Sequence, residues 1–180
     1  MVNQFSDGRL ADNLTSFAQS QIEELDTYND SYIWSHAAEV NAEKTARLAL
    51  PTFRGMGLIT GDIGVEIAYD IAQDSDPLSD EDRFAINLLT EQARGMVIAT
   101  GEHSTGWVNS RASRAVAART GELAVRVAKE LSGAEYIKPR AFVHSFSGIL
   151  MDADIAIQPG VMDRIETQWN SDDLRQEAVT

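Results

Sequence analysis

The longest amphipathic pattern in the chain lies in residues 106–132, GWVNSRASRAVAARTGELAVRVAKELS. Positions three or four residues apart form one stripe, made of Val116, Thr120, Leu123, Val127 and Leu131. This spacing matches the period of an α-helix with one buried face. Thr105 is a candidate N-cap before the segment, and Gly133 is a stop signal after it. The pattern predicts one long helix that other helices can pack against.

The same periodicity predicts four more helices earlier in the chain. They cover approximately residues 10–27, 32–50, 62–73 and 80–100. Pro51 is expected to stop or kink the second of them, because proline lacks an N–H and disturbs the preceding turn. Ser79 and Asp82 resemble a capping box at the start of the fourth. We therefore expect a mainly all-α fold with a bundle of about five helices over residues 1–133.

The pattern changes after residue 133. Phe142, His144 and Phe146 alternate with smaller side chains, and residues 152–157 alternate in part. Alternation of this kind is typical of strands, although short runs leave helix and strand open. We expect an extended arm or short β-hairpin in residues 134–180, with a short helix at about 161–170.

Charge is distributed unevenly along the chain. There are 28 acidic and 15 basic residues, which give a net charge of −13. Residues 1–93 carry a net −12, residues 94–140 carry +4, and residues 141–180 carry −5. Such asymmetry favours attraction between parts of one molecule or between neighbouring copies.

Composition excludes several classes of protein. The overall acidity disfavours nucleic-acid binding, and the absence of cysteine excludes disulfides and Cys-ligated zinc. No apolar run is long enough to span a membrane, and the polar N-terminus shows no secretion signal. We therefore expect a cytoplasmic or virion protein. Arginine in excess over lysine, together with the acidity, is a pattern expected in high salt and predicts a halophilic source.

Catalytic and metal-binding patterns are weak. His36, Glu39 and Glu43 share one face of a predicted helix, and Glu66 and Glu91 lie on later helices. Helical bundles build metal sites from such side chains, but the usual Glu-x-x-His pairs are missing. The glycines of residues 55–61 do not match a phosphate-binding loop. We expect no enzymatic activity and no cofactor.

The expected function is therefore association with other proteins. The candidate partner-binding residues are basic, acidic or part of the C-terminal arm: Arg111, Arg114, Arg126, Lys129, Glu66, Asp70, Phe142, Phe146, Ile155 and Ile157. An acidic face of one copy that meets the basic helix of the next would make a head-to-tail contact, which generates rings. The arm would dock on another structural protein by strand addition or in a groove.

A helical bundle followed by an extended C-terminal segment resembles the head–tail adaptor proteins of tailed viruses. The resemblance is architectural and assigns no residue a role. It implies a ring under the portal, onto which the C-terminal segment docks. Two alternatives remain open: a metal-binding bundle protein or enzyme that uses the His and Glu residues, and an acidic regulatory protein that mimics nucleic acid.

Overall fold

The structure, a computed structural model, describes residues 4–169. Within this range the chain forms nine helices and no strand, which confirms the expected all-α class. The helices are α1 (Gln4–Glu24), α2 (Asp30–Ile33), α3 (His36–Gly55), α4 (Val65–Ala72), α5 (Asp80–Thr100), α6 (Thr105–Val108), α7 (Arg111–Ser132), α8 (Pro139–Asp152) and α9 (Pro159–Trp169).

Helix α7 lies at the centre and contacts α1, α3 and α5. Its predicted stripe is buried except for Leu131, in the last turn, which is 40% exposed. The helix begins later than expected, because Ser110 acts as its N-cap and accepts a hydrogen bond from the Ser113 amide at 3.1 Å. Thr105 instead begins the separate single turn α6. Gly133 ends α7 in the left-handed conformation, as predicted.

Gly121 allows α7 to approach α3 and α5 closely. A Cβ atom at this position would lie 3.2 Å from Cγ2 of Ile86 and 3.5 Å from Cγ2 of Thr45. Both neighbours are β-branched side chains with little freedom to move. The absence of a side chain at Gly121 therefore sets the spacing of three central helices.

We expect Gly121→Val to lower the free energy of unfolding by about 1–3 kcal/mol, the usual cost of overpacking a core. The measurement is urea denaturation followed by circular dichroism. Gly148→Val is the matched control, because a Cβ on Gly148 of α8 meets nothing within 4 Å. Equal effects of the two substitutions would show that close packing at Gly121 is unimportant.

Pro51 does not end α3, which continues to Gly55. A proline removes one backbone hydrogen bond from a helix, and its ring crowds the carbonyl of the preceding turn. The buried face of α3 includes Ala46, Ala49 and Phe53, all fully buried, and so extends on both sides of Pro51. Packing along this face outweighs the lost hydrogen bond, and the expected stop is wrong.

The extended arm or hairpin expected near residues 141–158 is not what the structure has at Pro139–Asp152, which form the helix α8. Pro139 occupies the first turn of this helix, where its missing N–H costs nothing. Phe142, Phe146 and Leu150 are four residues apart and fully buried, so the helical period applies here. The Phe142 ring lies 6.0 Å from Phe53 and 5.4 Å from Phe146 between centroids. Residues 170–180 of the predicted arm lie outside the described residues.

Candidate functional site

Two of the predicted partner-binding cations are used inside the molecule. Arg126 is only 8% exposed, and its Nη2 donates to the Asp76 carbonyl at 2.6 Å. Lys129 Nζ lies 2.7 Å from Oδ2 of Asp82, a fully buried carboxylate. These contacts join α7 to the start of α5 and to the loop before it. The prediction of partner binding by Arg126 and Lys129 is therefore corrected to an intramolecular role.

Arg111 and Arg114, in the first turn of α7, are exposed. The Arg111 guanidinium lies 5.9 Å from the centroid of the Tyr28 ring, within the range of a cation–π contact. Within residues 4–169, neither arginine forms an ion pair. The part of the predicted basic surface that remains available is thus the N-terminal end of α7.

Exposed aromatic side chains lie on and next to α2 and α6, two short helices that both pack on α7. Tyr32 and Trp107 stack with ring centroids 4.3 Å apart, and they remain 40% and 39% exposed. Trp34 is also partly exposed, and its indole N–H donates to Glu23. We call Tyr32, Trp34, Trp107 and Arg111 the aromatic–basic face. Aromatic and arginine side chains of this kind are enriched where proteins bind each other.

Helix α4 presents a second exposed face, formed by Val65, Glu66, Ile67, Tyr69 and Asp70, which we call the acidic face. On a helix of 3.6 residues per turn, Glu66 and Asp70 lie in the middle of this face. Val65 and Tyr69 lie on one side of them and Ile67 on the other. Both acids are exposed, as the sequence predicted. Only the two acids of this face were named from the sequence, yet the large apolar side chains beside them are exposed as well.

The C-terminal candidates are less accessible. Phe142 and Phe146 are fully buried, while Ile155 and Ile157 are partly buried against the core. The sequence placed these four residues on a docking arm. In the structure, Phe142 and Phe146 belong to the core and are not on a docking surface.

The candidate metal ligands do not converge. His36 lies beside His103, with ring centroids 4.8 Å apart. Glu43 pairs with Arg47 at 2.7 Å, and Glu91 pairs with Arg164 at 2.9 Å. Across residues 4–169, no three His, Asp or Glu side chains come close enough to hold a metal ion. In the same range, no helix is both long and apolar enough to cross a bilayer.

A polar pocket of about 160 Å³ lies between α5, α7 and α9. It is lined by Asn41, Asn87, Thr90, Glu91, Arg94, Arg114, Ala117, Ala118 and Arg164. Only Arg114 had been named as a partner-binding residue. Its neighbours Arg94 and Arg164 are 70 residues apart in sequence and fit no shared motif, so spacing alone could not identify the pocket.

Of the aromatic–basic face, only Arg111 was named from the sequence. Tyr32 and Trp34 flank the fully buried Ile33 in the run Ser-Tyr-Ile-Trp-Ser. Two large aromatic residues around one apolar residue indicate that aromatic side chains are exposed, because a single short helix cannot bury all three side chains in one direction.

Comparison with known proteins found no match: no family model fits the chain, and no curated protein or solved structure is significantly similar to it.

Proposed function

We propose that the protein is a non-enzymatic assembly protein whose copies associate head to tail. In this proposal the acidic face of one copy docks on the aromatic–basic face of the next. The observation that carries the proposal is the presence of two exposed faces on one chain, each with large apolar side chains, one carrying Glu66 and Asp70 and the other Arg111.

The chemistry of the two faces is complementary. Glu66 and Asp70 on one face would meet Arg111 on the other, and opposite charges orient two proteins as they meet. Tyr69 and Ile67 would pack against Tyr32 and Trp107, and burial of apolar area supplies most of the free energy of association. Exposed apolar patches rimmed by polar groups are typical of interaction sites.

The faces are built on different helices. The acidic face belongs to α4, which packs on α1 and α7. Trp107 belongs to α6, which packs on α3, α5 and α7. Contact between two different faces is heterologous, and it closes into a ring when the rotation per subunit divides a full turn. A ring is therefore the form of oligomer we propose.

A ring of this kind would suit a connector in a tailed virus, which is the most specific version of the proposal. Its support is the helical bundle and the paired faces. The extended C-terminal segment gives no support within residues 139–169, because α8 and α9 belong to the fold. Docking of a C-terminal arm on another structural protein, a virion location and a halophilic source stay predictions.

Nucleic-acid mimicry also stays a prediction, but the acidic face favours protein contact over it. A mimic of a phosphate backbone needs exposed acids. Exposed apolar side chains do not contribute to such mimicry, yet Val65, Ile67 and Tyr69 beside those acids are 43%, 48% and 53% exposed.

Light scattering of the native protein at low and high salt tests head-to-tail association. We expect a defined oligomer, and we expect Arg111→Glu to weaken association about tenfold or more because it places like charges opposite each other. Combining Arg111→Glu with Glu66→Arg should restore part of the association. Arg9→Glu is the matched control, since Arg9 is exposed on α1, outside both faces. A monomer at all salt concentrations would overturn the proposal.

A further inference from the structure

We propose that the polar pocket between α5, α7 and α9 binds a small dianionic oxyanion of the phosphate class. This proposal is independent of head-to-tail association. It rests on the charge of the pocket, on an unpaired buried amide and on the size of the cavity.

Positive charge exceeds negative charge in the pocket. Glu91 accepts hydrogen bonds from Arg164, at 2.9 Å from Nε and 3.1 Å from Nη2, and lies 3.6 Å from Arg94. The hydrogen bond to Glu91 raises the pKa of Arg164 above its usual value, so Arg164 stays charged. Arg114 has no acidic partner within residues 4–169. Three guanidinium groups and one carboxylate leave a surplus of two positive charges, which matches one dianion.

Asn41 contributes an unpaired polar atom. Its side chain is nearly inaccessible, at 1% exposure, and Nδ2 donates to Oγ of Ser113 at 3.2 Å. Oδ1 has no hydrogen-bond partner. Turning the amide over keeps a bond to Ser113, because a serine hydroxyl both donates and accepts. In either orientation one polar atom of the amide has no protein partner, and Asn41 is one of the residues that line the pocket.

The size of the pocket restricts the ligand. A cavity of about 150 Å³ holds a molecule the size of benzene, which has six heavy atoms. The pocket has about 160 Å³, so a five-atom oxyanion fits inside it. Guanidinium groups bind such oxyanions through two parallel hydrogen bonds, which also fixes their orientation.

The pocket wall is held in place before a ligand arrives. Gln92 of α5 is fully buried; its Nε2 donates to the Ala156 carbonyl at 3.0 Å, and its Oε1 accepts from the Gln158 amide at 2.9 Å. Gly95 leaves room for this contact, because a Cβ there would lie 2.6 Å from Oε1 of Gln158. These contacts anchor the segment that leads into α9, the helix that carries Arg164.

Titration of the full chain with inorganic phosphate, by calorimetry and by phosphorus NMR, tests the site. We expect saturable binding of one phosphate per chain, and we expect Arg114→Gln to weaken it about tenfold, since a hydrogen bond between charged groups is lost. Arg9→Gln is the matched control, because it removes the same charge at an exposed position outside the pocket and outside both faces. Its phosphate affinity should stay within about twofold of the wild type.

Ala118→Met provides a second variant, which fills the pocket and leaves every charge in place. We expect it to abolish phosphate binding with a circular dichroism spectrum like that of the wild type. Absence of saturable binding to the wild type, or equal losses in Arg9→Gln and Arg114→Gln, would overturn the proposal. A third result would also overturn the proposal: the wild type does not bind phosphate, and Arg114→Gln weakens self-association. The pocket would then hold a carboxylate of a second copy. Failure of head-to-tail association alone leaves the phosphate result unchanged.

Discussion

Replacing Phe142 with alanine is expected to lower the free energy of unfolding by about 3–5 kcal/mol. The side chain is fully buried between Phe53 of α3 and Phe146 of its own helix. Its removal leaves a cavity in the layer that joins α8 to α3, and a helix interior relaxes only partly around such a cavity. Urea denaturation followed by circular dichroism measures the loss.

Met151→Ala is the matched control for Phe142→Ala. It truncates a large side chain of the same helix that is 75% exposed, and we expect a change within about 0.5 kcal/mol. If both substitutions had the same small effect, α8 would not be packed on the core. The interpretation of residues 139–152 as a detached arm would then be restored.

Replacing Asp82 with alanine is expected to cost a similar amount, about 3–5 kcal/mol, as is usual when one partner of a buried ion pair is removed. Its Oδ2 accepts from Lys129 at 2.7 Å and its Oδ1 from the Ile137 amide at 2.8 Å. It also forms the capping box with Ser79 at the start of α5. One carboxylate thus joins α5, α7 and the segment before α8.

A double-mutant cycle separates these roles of Asp82. Lys129→Met removes the charge and keeps the hydrocarbon chain, so the cost of Asp82→Ala should fall when both changes are present. Asp80→Ala is the control, because Asp80 lies in the same first turn and is exposed. Its effect should be below about 1 kcal/mol, the range of a helix-terminus charge. Purely additive costs in the cycle would contradict a structural role for the ion pair.

Local signals predicted much of the fold. The capping box of Ser79 and Asp82 and the helix stop at Gly133 are present as expected. These features depend on residues within one helical turn of each other, which the sequence displays directly. Ser35 and Ser110 divide two of the predicted helices, and a serine within a periodic run is a cap signal that was overlooked.

Helix α8 shows where local patterns were insufficient. Phe142, His144 and Phe146 satisfy a period of two, but the two phenylalanines also satisfy a spacing of four. The choice between the periods depends on Phe53, almost 90 residues away, which supplies the surface for one face. Long-range packing therefore decided the element.

The candidate site was predictable only in part, for the same reason. Glu66, Asp70, Arg111 and Arg114 were named from charge and are exposed. Arg126 was named with them as a partner-binding residue, yet it is buried against the loop that contains Asp74 and Asp76. Its partners lie about 50 residues away, so no pattern within α7 distinguishes it from Arg111 or Arg114.

The attachment of α9 has a thermodynamic consequence. Among residues 159–167 only Val161 is buried, and Gln92 makes the backbone contacts that hold the start of the helix. The free energy needed to open an element with few buried contacts is lower than the free energy of global unfolding. Because Arg164 lies on α9, an oxyanion in the pocket would bind only the closed form and would shift this local equilibrium toward it. Ligand binding and closure of α9 would then be thermodynamically coupled. Slower amide hydrogen exchange in α9 would therefore show that the ligand is bound.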